Sequence, residues 1–218
     1  MYPASFDYST PTTIDEAISL LAEHGENAKL LAGGHSLLPL MKLRFAQPTH
    51  VVDLRRIPSL RGIRRDGGTL IIGAMTTYVE LAASSDVRDV APIIADAASQ
   101  IGDPQVRNRG TIGGSLAHAD PSADLPTVIL ALGATIVAAG PDGRRTIGAE
   151  AFFRELFTTS LDATEILAEI RVPISTARSG SAYAKHPHPA SRFALVGVAA
   201  TLDLERMGDR VQRVRVAV

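Results

Sequence analysis

Leu30-Leu31-Ala32-Gly33-Gly34-His35-Ser36-Leu37-Leu38-Pro39 is the stretch from which this chain is best read, and Thr111-Ile112-Gly113-Gly114-Ser115-Leu116 shares its layout. Each holds a glycine doublet between apolar runs. Adjacent glycines tolerate positive φ and carry no Cβ, so backbone N–H groups can converge on an anion. Neither loop contains Lys or Arg, so a phosphate there would be held mainly by backbone dipoles. One Gly-Gly pair is ordinary turn chemistry. Two in this setting point to a phosphate-bearing ligand.

Outward from the first doublet, residues 28–31 read as a buried strand entering the loop and residues 37–44 as a helix leaving it, with Pro39 acceptable in the first turn. The loop is thus expected at a helix N-terminus, where the macrodipole favours an anion. Upstream, Thr13 and Glu16 have capping-box spacing, and Ile14, Ala17, Ile18 and Leu21 recur at helical period until Gly25. Residues 51–54 form the next strand, so the opening is β/α in character. Residues 70–73 read as a strand, Thr77 and Glu80 repeat the capping box, and residues 92–101 read as an Ala-rich helix before the second loop. An apolar helix around 125–132 leads to a strand at 134–139, turned by Gly140-Pro141-Asp142-Gly143. Residues 166–174 are a further strand. After a linker-like stretch at 175–180, strands are expected at 181–185, 194–204 and 211–218, with a turn at Met207-Gly208-Asp209. The last apolar-alternating run has no turn or cap, which reads as an incomplete C-terminal unit.

Composition narrows the function. The chain has 218 residues, 45% of them hydrophobic, enough for one large domain or two small ones. A net charge of −1 and 5% aromatics argue against a nucleic-acid surface. The absence of cysteine excludes disulfides, thiolate zinc sites and ligation of iron–sulfur clusters by this chain. Met1-Tyr2-Pro3-Ala4-Ser5-Phe6-Asp7-Tyr8 has neither the basic flank nor the apolar core of a signal peptide. The apolar run at 125–139 is too short to span a bilayer and is interrupted by Pro126 and Gly133. These features lead us to expect a cytoplasmic protein without a membrane span. No G-x-G-x-x-G follows a strand and no P-loop is present, so a Rossmann NAD site is not expected.

The two glycine loops, with Pro121-Ser122-Ala123-Asp124-Leu125-Pro126 after the second, resemble the FAD-binding medium subunits of the molybdenum hydroxylases, the family of the carbon monoxide and xanthine dehydrogenases. The likeness runs from Phe6 to the final strand, through Val52-Asp53-Leu54-Arg55-Arg56-Ile57, Ile72-Gly73-Ala74 and Gln105-Val106-Arg107-Asn108. The resemblance implies an α+β chain with the p-cresol-methylhydroxylase-type FAD-binding fold. Two α/β subdomains, about 1–57 and 58–176, would clasp the flavin, and an antiparallel C-terminal domain would begin at 177–218. It further implies that Leu30, Leu31, Ala32, Gly33, Gly34, His35, Ser36 and Leu37 line the FAD pyrophosphate. Thr111 and Ser115 would offer hydroxyls, and Gly113 and Gly114 amides, to the same phosphates. Asp124 matches a carboxylate that hydrogen-bonds the adenosine part, and Ile101 an apolar wall near it. Leu167 matches a contact to the flavin. Lys185 would stand at the polar edge of the ring, where a cation stabilises charge on the reduced flavin. Phe193 falls where relatives cover one ring face.

Other polar residues have plainer readings. His118, Asp120 and Asp124 lie in a Pro-containing loop and are read as ordinary polarity rather than metal ligands, as are His186 and His188 around Pro187. Arg107 and Arg109 suit a phosphate, a structural ion pair or a partner contact. No catalytic acid or base and no metal site is assigned. The resemblance implies non-covalent FAD, a large molybdenum-binding partner carrying molybdopterin and a small [2Fe–2S] partner, with electrons passing from the clusters through FAD to an external acceptor. Two other readings stay open: a stand-alone FAD oxidase, its flavin attached through His35 or another loop residue, and a flavin-binding module that only scaffolds partners.

Overall fold

The computed structural model describes residues 2–175, 178–205 and 210–218. The turn expected at 207–209 and part of the linker at 175–180 lie outside the described residues. The chain opens with β1 (Asp7–Ser9), α1 (Ile14–His24), β2 (Ala28–Leu31), α2 (Leu37–Lys42) and β3 (His50–Asp53). The three strands form a parallel sheet in the order β1-β3-β2, and parallel neighbours require crossovers, which α1 and α2 supply. Thr13 caps α1 by accepting the Glu16 N–H at 3.1 Å, but the reciprocal arm reaches Thr12, whose N–H donates to Glu16 Oε2 at 2.7 Å. Gly25, at φ 54°, ends the helix. Ile14, Ala17, Ile18 and Leu21 bury the apolar stripe against Val52, Leu54 and Ile57.

The middle of the chain is larger. β4 (Ile63–Asp66) and β5 (Thr69–Gly73) precede six helices: α3 (Tyr78–Ala83), α4 (Ser85–Val90), α5 (Pro92–Gln100), α6 (Pro104–Arg107), α7 (Ile112–His118) and α8 (Asp124–Leu132). Then come β6 (Thr135–Gly140), β7 (Gly143–Gly148), α9 (Ala149–Phe152), the short pair β8 (Phe153–Glu155) and β9 (Thr158–Thr159), and β10 (Ile166–Pro173). β4-β5-β10-β6-β7 is an antiparallel sheet with β10 at its centre. β10 serves two cores. Ile166 and Ala168 face α1 and Met75, whereas Leu167, Ile170 and Val172 face the helices. Strict alternation would put Ile166 and Ile170 on one face. The bulge between Leu167 and Glu169 changes the parity and joins Leu167 to the helix-side core.

β11 (Arg178–Pro187), β12 (Ala194–Leu204) and β13 (Val211–Ala217) make a third, antiparallel sheet laid over α5 and α8. Its inner face contributes Tyr183, Ala199 and Ala217 to the main core, and Thr201 Oγ1 donates to Ala131 O at 2.9 Å. The mixture of helices with separate parallel and antiparallel sheets is the α+β class. Among the described residues no helix is long and apolar enough to cross a membrane.

Candidate functional site

The two glycine stretches, far apart in sequence, meet in space. A Cβ built on Gly33 would stand 2.4 Å from Arg109 O and 2.7 Å from Gly110 Cα, and one on Gly114 would stand 3.4 Å from Ala32 Cβ. His35 adds a polar tie, its Nε2 lying 3.2 Å from the Gln105 carbonyl oxygen, which can only accept. Gly33 is therefore required by the approach of another backbone. Gly34, at φ 78°, is required by its own conformation.

The second stretch differs from expectation. Gly113 and Gly114 are not in a loop but in the first turn of α7, with Thr111 as N-cap. The amides expected to face phosphate already have protein acceptors: Gly113 N–H donates to Ala74 O at 2.8 Å and Gly114 N–H to Thr111 Oγ1 at 3.1 Å. The physical reason is packing. Gly113 touches the chain after β5 so closely that a Cβ would meet Ala74 Cβ at 2.5 Å. The first stretch is the converse case. Among the described residues, the amides of Gly33, Gly34, His35, Ser36 and Leu37 donate to no protein acceptor. Five consecutive donors without partners fit an anionic ligand with several oxygens, such as a pyrophosphate.

Asp124, the first residue of α8, lies in a buried polar cluster. Its carboxylate accepts from Tyr183 Oη at 2.6 Å and pairs with Lys185 Nζ at 2.8 Å, the Asp124 and Lys185 side chains being 5% and 2% exposed. Burial, then the hydrogen bond to Asp124 and its charge, push the Tyr183 phenol well above its ordinary range. Tyr78 extends the cluster: burial and the charge of Asp124 raise its phenol to about 12, against a hydrogen bond from Ser115 that lowers it. Asp124 and Lys185, which the resemblance places at the adenosine and flavin ends of FAD, are in contact with each other here. Neither tyrosine lies in a motif of its own, but the Tyr183-Ala184-Lys185 alternation puts residues 183 and 185 on one face of a strand.

The remaining expected residues are spread around these two features. Ile101 ends α5, half-buried against the main core, and its carbonyl accepts from Arg107 Nη1 at 3.0 Å. Leu167 is buried in β10 beside the bulge. Phe193 is exposed, in a loop closed by His188 N–H donating to Phe193 O at 2.8 Å. Leu30 and Leu31 bind the loop to β3, and Thr111 keeps a hydroxyl hydrogen to donate. His118 packs on Phe157 with ring centroids 5.2 Å apart, and Asp120 Oδ1 accepts from Ser122 N at 2.9 Å. Among the described residues no group of three or more His, Cys, Asp or Glu side chains could hold a metal ion.

Comparison with known proteins converges on one family. The family model described as "FAD binding domain in molybdopterin dehydrogenase" matches residues 4–175. The carbon monoxide dehydrogenase medium chain of Hydrogenophaga pseudoflava is 47% identical over 218 residues, covering 100% of this chain and 75% of its own length. The 6-hydroxypseudooxynicotine dehydrogenase complex subunit alpha of Paenarthrobacter nicotinovorans is 39% identical, over 100% of this chain and 73% of its own. Among solved structures, the carbon monoxide dehydrogenase of H. pseudoflava superposes with a TM-score of 0.95 at 48% identity, over 99% of this chain and 75% of that one. Quinoline 2-oxidoreductase from Pseudomonas putida 86 superposes with a TM-score of 0.89 at 34% identity, over 99% and 74%. With the meeting of the two glycine stretches and the row of unpartnered amides, these matches assign the chain plainly: it belongs to the family of FAD-binding domains of molybdopterin dehydrogenases.

Proposed function

We propose that FAD lies against the meeting point of the two glycine stretches, its pyrophosphate on the amides of residues 33–37, and that this chain is the flavin-carrying subunit of a heteromeric molybdenum-containing dehydrogenase. When bound, FAD supplies a centre that takes electrons singly and gives them up in pairs, which suits a junction between one-electron clusters and a two-electron acceptor. The chain's own residues bind, orient and tune. The amides of Gly33 to Leu37 hold the phosphates, and the Thr111 hydroxyl donates beside them. Ile101 and Phe193 supply apolar cover. Leu167 and the Asp124–Lys185 pair stand toward the ring, with Lys185 providing the charge that favours a reduced, anionic flavin. We take residues 1–57 and 58–176 as the two halves that clasp the cofactor, and 177–218 as part of a further flavoprotein domain.

Molybdopterin and [2Fe–2S] clusters belong to a large and a small partner subunit, and the reading places the complex in the cytoplasm. The row of unpartnered amides carries the proposal, because five consecutive donors of one loop have no acceptor among the described residues. The test is FAD release on acid precipitation of the purified complex. Yellow colour in the supernatant supports a non-covalent flavin subunit. Colour retained in the pellet favours a covalent oxidase and points to His35.

A further inference from the structure

We infer that Tyr183 is a positioning residue for the Asp124–Lys185 pair, and that position 197 is glycine so that the Tyr183 hydroxyl can reach Asp124. The inference rests on the proposal that this pair stands beside the flavin. Tyr183 and Lys185 are two apart on β11, so the pleat sends both side chains to the same side, onto the start of α8. Tyr183 Oη donates to Asp124 Oδ1 at 2.6 Å, while Lys185 Nζ lies 2.8 Å from Oδ1 and 2.9 Å from Oδ2. Tyrosine and lysine therefore share one oxygen of the same carboxylate. Across the strand pair, Gly197 of β12 stands opposite Lys185. A Cβ there would be 2.6 Å from Tyr183 Oη, tighter than any relaxed contact. Its φ is not positive, so backbone conformation does not demand glycine; room for the phenol does.

The consequence is electrostatic. Lys185 already meets both oxygens of the carboxylate, so without a second donor the whole charge of Asp124 would oppose its field. The Tyr183 hydroxyl draws part of the negative charge of Asp124 to itself, in a buried site where such terms are weakly screened. Lys185 then keeps more of its influence on an anionic neighbour. Tyr183 touches neither cofactor nor substrate in this account; it acts through Asp124.

The test uses the assembled holoenzyme, with the flavin midpoint potential read by spectroelectrochemical titration and melting curves as a check on folding. Tyr183→Phe removes the hydroxyl. Gly197→Ala keeps it but pushes the ring away, and carries the test alone if the first variant does not assemble. Lys185→Gln reports whether the pair faces the flavin at all. We expect all three to shift the potential in the negative direction, Lys185→Gln the most. If Lys185→Gln shifts it but Tyr183→Phe and Gly197→Ala leave it unchanged or raise it, the positioning role is overturned while the placement of Lys185 stands. If Lys185→Gln leaves it unchanged, the placement itself fails and this inference falls with it.

Discussion

Gly33 and Gly34 are neighbours with different reasons to be glycine, and substitution separates them. At Gly33 an added Cβ meets the Arg109 carbonyl at 2.4 Å, so Gly33→Ala must push the two stretches apart. It should lower the melting temperature and abolish FAD retention together. Gly34, at φ 78°, meets chiefly a Leu38 side chain that can move. Gly34→Ala should cost about 1–2 kcal/mol for the left-handed conformation while keeping FAD. Differential scanning fluorimetry with and without FAD distinguishes them; equal FAD loss in both would contradict the division. Much of this was legible in the sequence, since the doublets mark the place where the chain must pass closely. What was hidden is which doublet keeps free amides. That depends on Ala74, whose carbonyl takes the Gly113 N–H through a contact that no local pattern announces.

At the scale of elements, caps and ion pairs should answer predictably. α3 starts with a full capping box: Thr77 Oγ1 accepts from Glu80 N at 3.4 Å and Glu80 Oε2 from Thr77 N at 2.7 Å. Thr77→Ala should cost about 1 kcal/mol in urea denaturation. Arg145 on β7 grips Glu165, just before β10, with two hydrogen bonds of 2.6 and 2.7 Å. Those bonds, against the opposing effect of burial, hold the Glu165 carboxyl below its ordinary range. A carboxyl depressed in the folded state adds stability that is fully present above its unfolded value and is lost as pH falls through the lower, folded value. Glu165→Gln should therefore cost about 1 kcal/mol near neutral pH, Arg145 being half exposed, and nothing once the wild-type carboxyl is protonated. Urea midpoints across the acid range check this; parallel curves for the two proteins would refute it. Long periodic elements such as α1, α5 and β12 were readable from apolar spacing. The helix α7 was not, because Gly113 and Gly114 are poor helix formers whose place there is set by tertiary packing.

For the whole molecule, the account makes the chain a carrier rather than a complete catalyst. The two sets of residues proposed to face FAD, the amides of residues 33–37 and the Asp124–Lys185 pair that Tyr183 positions, come from separate stretches of sequence. The second set was only half visible, because Tyr183 and Asp124 are 59 residues apart and meet only when β11 lies over α8. The full chain, supplied with FAD and an artificial two-electron acceptor, should pass electrons from chemically reduced flavin but hydroxylate no substrate. Co-expression with cysteine-rich and molybdenum-binding partners should restore flavin reduction by substrate. The central claim, that FAD is held on the unpartnered amides of the first glycine stretch, is tested most directly by titrating the full chain with FAD and following quenching of flavin fluorescence. The account predicts saturable, stoichiometric binding that Gly33→Val abolishes and Gly34→Ala retains. Undiminished binding in Gly33→Val, with the fold intact by circular dichroism, would contradict it.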